Sequence, residues 1–561
     1  MSASAESGDD IRGRTQRSPL ASQRARENVS AAPERRKGWF PLGYKEGFSQ
    51  WWASLSPEKT EQTVLSFIPY LQKPPTHTET HSAPISPVAS RVNVNEDITD
   101  GGRTVKTTSI TDPYGPRRWH STLVKLSGQN RALNEFSVER VGEDVENNLV
   151  MLHGYGAGLG FFYKNFEALS RAPGWRIYAL DLLGMGRSSR PPFRLHAKDR
   201  QGKITEAENW FIDALEEWRI ERNIERFTLL GHSLGGYMAV AYALKYPGRL
   251  NKLILASPVG IPEDPYAVAA EMPDGADSAA ADQVTNDANT TVTDNNNFLN
   301  GRNKHSSGTS TPNANPQKQD APRRPYPPWL TYLWEKNLSP FSLVRWAGPL
   351  GPSLVSGWTS RRFGHLPAEE ARALHDYSYS LFRQKGSGEY ALAHILAPGA
   401  FARSPLIRRI QGVGRQYLAD HEGAMADAEG NARAGAAAGE GSSSKAMVGE
   451  GAQGRQASDA AKAASGRRRE NGIPVVFMYG EHDWMDVRGG YAALEKIRDE
   501  KRAALEGLSQ AEREKDNGDA KVVIIRKAGH HVYLDGVDQF NEVMLQEMRD
   551  VAERERRRTE R

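Results

Sequence analysis

An α/β fold, with a mostly parallel sheet, helices on both of its faces and an inserted helical cap, is the class this sequence predicts. Three observations carry the prediction. Short apolar runs alternate with helix-like segments from about residue 103, the pattern of a sheet covered on both sides. One junction joins the apolar Phe227-Thr228-Leu229-Leu230 to a helix-like 237–244 through Gly231-His232-Ser233-Leu234-Gly235-Gly236. Two polar, low-complexity stretches interrupt the alternation, and strands resume after the second.

Residues 1–99 divide into a charged, small-residue tail to about 37 and a Trp-rich amphipathic segment. In that segment Trp39, Phe40, Tyr44, Phe48, Trp51 and Trp52 precede Ser56-Pro57-Glu58, an N-cap with proline at the first helical position. Val64, Leu65, Ile68 and Leu71 recur at helical spacing, with Pro69 as a breaker. Two readings stay open: aromatics at a membrane interface, or a helix packed on its own domain.

Residues 100–262 form the first part of the core, with strands at 119–126, 148–152 and 175–181 and helices at 161–169 and 205–223. The glycine junction follows, then a strand at 250–256. Residues 263–325 are an insert rich in Asp, Asn, Thr, Ala and Pro, which cannot bury enough apolar surface to order itself. Residues 326–419 regain aromatic and helical character as a cap carrying Trp329, Trp334, Trp346 and Trp358. These aromatics either line an acyl channel or form ordinary cap core. A Gly/Ala/Ser-rich insert covers 420–470, and 471–561 complete the core with strands at 473–479 and 521–525, a helix from about 488 and a last helix after Asp535.

Gly-x-Ser-x-Gly between a strand and a helix is a nucleophile elbow, a turn so tight that its flanks must be nearly side-chain-free. Ser233 is therefore the candidate nucleophile. A serine hydroxyl needs a base, and the base needs an acid to orient it. His530 follows a late strand, with His531 as its neighbour and rival. Asp483 follows the strand that carries Phe477, with Asp486 as the rival acid; Asp483 is preferred because it lies nearer the strand end. His482 reads as a surface or supporting residue. Ser233, Asp483 and His530 stand in the chain order of an α/β-hydrolase triad. Two backbone N–H groups should face the oxyanion: that of Leu234, and that of Tyr155 in the loop His153-Gly154-Tyr155-Gly156-Ala157-Gly158.

A formal charge of +4 on 561 residues is too mild to imply nucleic acid. With no cysteine, disulfides and thiolate chemistry are excluded. The chemistry calls for no metal or other cofactor. No run of about 18 apolar residues suggests a spanning helix. The N-terminus has the Arg and Ser of a mitochondrial presequence together with acids that such a signal avoids.

Gly-His-Ser-Leu-Gly-Gly-Tyr at 231–237, Tyr-Gly-Glu-His-Asp-Trp-Met-Asp at 479–486, Gly-His-His-Val-Tyr-Leu-Asp at 529–535 and His-Gly-Tyr-Gly-Ala-Gly at 153–158 resemble one group of α/β-hydrolase-domain lipid enzymes. The group includes the fungal cardiolipin-specific deacylase of mitochondria, lysophosphatidic-acid acyltransferases and an animal lipid-droplet lipase co-activator. The resemblance covers roughly 100–262 and 471–550. It implies a serine hydrolase that deacylates a glycerophospholipid, cardiolipin first, at a membrane or lipid surface, in the mitochondrion or in the cytoplasm and on lipid droplets. Two alternatives stand beside it. One is acyl-CoA-dependent acyl transfer to a lysophospholipid, hinted at by His530-x-x-x-x-Asp535, although Asp535 also reads as the N-cap of the last helix. The other is a non-catalytic co-activator, against which the intact Ser233 weighs, because the family's co-activator lacks that serine. A proline-preferring aminopeptidase shares the fold and the elbow.

Overall fold

The computed structural model describes residues 41–69, 103–106, 114, 116–269, 272, 333–334, 336–418 and 468–560. The tail to residue 37, Trp39, Phe40, Leu71, Trp329 and most of both inserts lie outside them.

Nine strands among the described residues form one sheet. They are β1 (Arg103–Lys106), β2 (Arg117–Lys125), β3 (Ala132–Arg140), β4 (Asn147–Leu152), β5 (Trp175–Leu180), β6 (Phe227–His232) and β7 (Leu250–Ala256), followed, after the small cap pair β8 (Leu396–Ala397) and β9 (Phe401–Ala402), by β10 (Pro474–Gly480) and β11 (Asp519–Ile525). The order is β1-β2-β3-β5-β4-β6-β7-β10-β11. The first three neighbour pairs are antiparallel and the rest parallel, so the mostly parallel sheet expected from the alternation is present.

β3 has no counterpart in the sequence reading, and its composition explains why. Asn134, Glu135, Ser137 and Glu139 are all buried on it, so it lacks the apolar run of a buried strand. Distant residues answer the two carboxylates: Trp218 Nε1 and Arg222 Nε donate to Glu135 at 2.7 and 2.8 Å, and Arg118 and Arg176 pair with Glu139.

The N-terminal helices α1 (Tyr44–Ala53) and α2 (Pro57–Leu65) come first. Ser56 caps α2 from the Lys59 N–H, with Pro57 at its first position, as the local signal requires. Helix α3 (Tyr163–Leu169) follows β4. Helix α4 (Arg200–Glu221) starts five residues before the expected 205, because the Asp199 side chain caps it at Gly202. Helix α5 (Leu234–Lys245) springs from the elbow. The cap contributes α6 (Pro340–Trp346), α7 (Gly351–Phe363) and α8 (Ala368–Phe382), and the chain closes with α9 (Val487–Leu505) and α10 (Val537–Thr559).

The first insert, expected from 263, begins in order: 265–269 form the short helix Pro265–Ala269, and Arg408 pairs with Glu263 at 2.5 Å. At the far end of the second insert, Glu470 accepts the Gly248 N–H at 2.7 Å. One apolar cluster packs α4, α5 and α9 on one face of the sheet. A second packs α2, α3, α10 and the cap helices on the other. No helix among the described residues is long and apolar enough to cross a membrane.

Candidate active site

Ser233 sits between β6 and α5 with φ 53° and ψ −113°, a conformation that a residue with a Cβ enters only at a cost in strain. The glycines around it are there for want of room. A Cβ on Gly235 would stand 2.6 Å from the Leu152 carbonyl and 2.7 Å from that of His153, and one on Gly231 would collide with the backbone of Gly235 and Gly236. The turn is held by Ser233 N–H donating to Ala256 O at 3.0 Å and by Val259 N–H donating to Ser233 O at 3.2 Å. The start of α5 lies directly behind the serine, where helix geometry favours negative charge.

The loops after β10 and β11 bring the other two candidates together. His530 Nδ1 donates to Asp483 Oδ1 at 3.1 Å, and the same oxygen accepts the Met485 N–H at 3.0 Å. The Trp484 ring lies 4.7 Å from that of His530, centroid to centroid. Among the described residues no hydrogen bond joins the Ser233 hydroxyl to His530, a distance that catalytic pairs commonly close only on binding substrate.

The rivals have other partners. Asp486 is exposed and caps α9 through the Arg488 N–H at 3.0 Å. His531 is buried among Phe161, His232 and Phe363, with its ring nitrogens 3.3 and 3.4 Å from Arg362 Nη1. Burial and the nearby Arg362 push its imidazole far below the usual range, so it is neutral. His482 is buried rather than at the surface. Asp535 does not cap the last helix, whose N-cap is Gly536 with no side-chain bond. Its carboxylate instead accepts the Gly529 N–H at 2.9 Å and pairs with His365 at 3.3 Å, bracing the loop before His530.

The glycine-rich loop after β4 lies against the elbow. A Cβ on Gly154 would stand 2.8 Å from His232 Nδ1 and 3.0 Å from Ser233 Cβ. Among the described residues, the N–H groups of Tyr155 and Leu234 donate to nothing, so both remain available beside Ser233. The loop's shape is set from behind. His153 donates through Nδ1 to Gly154 O at 2.8 Å and accepts the Leu182 N–H at 3.1 Å; burial lowers it to about pKa 4 and keeps it neutral. Asp181 accepts the N–H groups of Leu159 and Arg187, each at 2.7 Å.

Asn134 joins Asp181 (2.8 Å) to Glu61 (3.1 Å) of α2, and Glu61 also takes Arg187 (2.5 Å) and Tyr377 of the cap (3.0 Å). Burial pushes both carboxyls up, against the pull of Arg187 on Glu61 and of hydrogen bonds on Asp181. The cluster is not legible in the sequence because its members lie on β3, α2, α8 and the loop after β5, far apart in the chain.

The cap aromatics divide. Trp334 is buried and donates to Leu396 O at 3.0 Å, lining a small crevice with Tyr155, Ser339 and Leu392. Trp358 meets Phe363 and Phe382 edge-on, whereas Trp346 is 45% exposed.

A family model described as the alpha/beta hydrolase fold matches residues 147–537. The 1-acylglycerol-3-phosphate O-acyltransferase of Arabidopsis thaliana is 37% identical over 306 residues, 53% of this chain and 58% of that protein. The 1-acylglycerol-3-phosphate O-acyltransferase ABHD5 of Mus musculus is 34% identical over 304 residues, 53% of this chain and 68% of that protein. The (lyso)-N-acylphosphatidylethanolamine lipase of Bos taurus is 31% identical over 269 residues, 47% and 60% of the two chains. The chain thus spans under two thirds of the plant and bovine relatives.

Proposed function

The chain belongs to the α/β-hydrolase fold family, and on that premise we propose that it is a serine enzyme cleaving an acyl ester of a glycerophospholipid. One observation carries the reading: the Asp483–His530 hydrogen bond stands beside a serine held on a strained elbow. Ser233 Oγ attacks the ester carbonyl and gives its proton to His530 Nε2, while Asp483 holds Nδ1–H and stabilises the imidazolium. The N–H groups of Tyr155 and Leu234 receive the oxyanion. His530 returns the proton to the departing lysolipid oxygen and leaves an acyl-serine. Water, activated by His530, then releases the fatty acid.

A lysophospholipid hydroxyl can take the place of water with no change in machinery, and this second reading is favoured by the relatives named as acyltransferases. Cardiolipin remains the proposed first substrate from the sequence resemblance, at a mitochondrial membrane; the cytoplasm and lipid droplets are the alternative site of action. Peripheral attachment is supported by an aromatic surface. Tyr44, Phe48 and Trp52 of α1 are 63, 41 and 75% exposed, and Leu343, Trp346 and Leu350 of the cap are exposed as well. Rings with an apolar body and a polar tip suit a membrane interface.

The test is purified enzyme on labelled cardiolipin, and on lysophosphatidic acid with and without acyl-CoA. Ser233→Ala should lower turnover about a thousandfold or more. Lipid turnover in cells that is unchanged by Ser233→Ala would replace this reading with the co-activator one.

A further inference from the structure

Among the described residues several buried or half-buried arginines are answered by carboxylates, Arg187 by Glu61, Arg345 by Glu389, Arg409 by Glu208 and Arg415 by Asp516, while Arg190 is met by the carbonyls of Gly184, Gly186 and Lys385. Arg362, in the last turn of cap helix α7, has neither kind of partner. Among the described residues its guanidinium donates only to His531, which is neutral, and lies over the face of Trp358 with 4.7 Å to the ring centroid. Its Nε and Nη2 donate to nothing described. The nearest acid, Asp535, is already engaged by Gly529 and His365. Tyr533 and Arg361 are the other ionisable groups that bear on it. A cation fixed by an aromatic face and a neutral acceptor keeps most of its hydrogen-bonding fork for a ligand.

The location gives this a purpose. The His531 ring that touches Arg362 is 5.6 Å from the His530 ring and 5.2 Å from that of His232, the residue before Ser233. The fork is therefore one imidazole away from the candidate base, at the seam between α7 and the loop after β11. We propose that Arg362 is a specificity-determining residue that receives a phosphate group of the ligand. This rests on the acyl-ester reading above. The phosphate of a lysophospholipid headgroup, a few bonds from its ester carbonyl, is the source favoured by this short separation; the phosphates of acyl-CoA carry the same chemistry. Burial has already lowered the guanidinium to about pKa 10, in keeping with a charge that lacks a counterion. A planar fork is suited to two phosphate oxygens at once.

Full-length protein carrying Ser233→Ala is titrated with a short-chain ether analogue of lysophosphatidic acid, with the matching alkylglycerol, and with coenzyme A. Adding Arg362→Gln should weaken the ether lysophosphatidate by roughly tenfold to a hundredfold and leave the alkylglycerol within about twofold, the loss expected for a charge-assisted hydrogen bond. Arg362→Lys should fall between. A loss on coenzyme A in place of the lysolipid supports the phosphate site and assigns it to the acyl donor. Equal losses on phosphate-bearing and phosphate-free ligands, or none, overturn the proposal. Should Arg362→Gln not fold, the unmodified Arg362 protein still decides it: its preference for lysophosphatidate over alkylglycerol should fall as salt rises, and a salt-independent or absent preference overturns the assignment. Phosphate discrimination without ester turnover by the Ser233 enzyme would sink the acyl-ester reading alone; turnover without discrimination would sink the role of Arg362 alone.

Discussion

Helices α1 and α2 are neighbours in the chain and opposites in their surroundings. In α1 the aromatic residues Tyr44, Phe48 and Trp52 face outward, while the polar Gln50 faces the protein and bonds Asp376 and His375 of the cap at 2.6 and 3.1 Å. In α2 the carboxylate Glu61 is wholly buried beside Val64 and Leu65. Hydrophobicity by itself would have placed both sets of residues the other way round. What decides is the availability of partners. Glu61 enters because Asn134, Arg187 and Tyr377 complete its hydrogen bonds, and a buried charge without them would be prohibitive. The aromatics of α1 stay outside because cap and helix bury only one face of it.

The largest test of that contrast is Glu61→Ala. It takes from Arg187 its close carboxylate, leaving Glu58 at 3.9 Å, and removes the link between α2, Asn134 and the cap, so unfolding in denaturant should show a loss of about 3–5 kcal/mol. The Asp181 support of the loop that holds Tyr155 should also loosen, lowering kcat in protein that remains folded. If Glu61→Ala behaved like an exposed substitution, the account of α2 as part of the core would be wrong.

A smaller effect comes from pH at the seat of α1. His375 is bonded to Thr359 (2.9 Å) and Gln50 (3.1 Å), and burial, helped by Arg372, lowers it from 6.5 to about 4. A depressed folded pKa means that the neutral form stabilises the fold. That stability is complete above about 6.5 and is lost as pH falls through about 4. At about 1.4 kcal/mol per pKa unit, the 6.5-to-4 shift is worth up to about 3 kcal/mol. Glu61 and Asp181 act with the opposite sign, since their carboxyls are raised. The difference between the unmodified protein and His375→Gln, followed by thermal melting from pH 7 to 4, isolates the histidine. The gap between the two curves should close as the pH falls; parallel curves would show that His375 is not titrating with the fold.

The smallest effect on stability belongs to the outer face of α1. Phe48→Ala with Trp52→Ala should change unfolding by about 0.5 kcal/mol or less per site, and yet reduce binding to phospholipid vesicles roughly tenfold, as expected from about 1.5 kcal/mol or more of apolar burial. A large melting shift with unchanged vesicle binding would reverse the assignment and make α1 a structural helix.

The sequence is most legible where the physics is local. A strand, a tight turn and a helix at 227–245 can be read directly, because Gly231 and Gly235 leave no room for a Cβ and the flanking apolar runs have the lengths of a strand and a helix. The same holds for the N-cap at Ser56 and for the strands around Phe477 and Val523. Local signals could name Ser233, Asp483, His530, Tyr155 and Leu234 as candidates. They rank Asp483 above Asp486 only by nearness to a strand end and leave His531 as a rival to His530, since adjacent motif residues are alike in composition.

Tertiary structure shows which of these groups meet. His530 meets Asp483 across 47 residues of chain, and Glu61 meets Tyr377 across 316. Over such separations no periodicity survives, and only the sheet order and the docking of the cap bring the groups within hydrogen-bonding distance. For the same reason β3, with its buried Asn134, Glu135 and Glu139, could not be read as a core strand, nor Arg362 as a cation with no carboxylate partner among the described residues. The apolar pattern along the chain determined which segments fold into strands and helices. Which polar groups those elements bury, and opposite what, was decided by partners that the pattern does not encode.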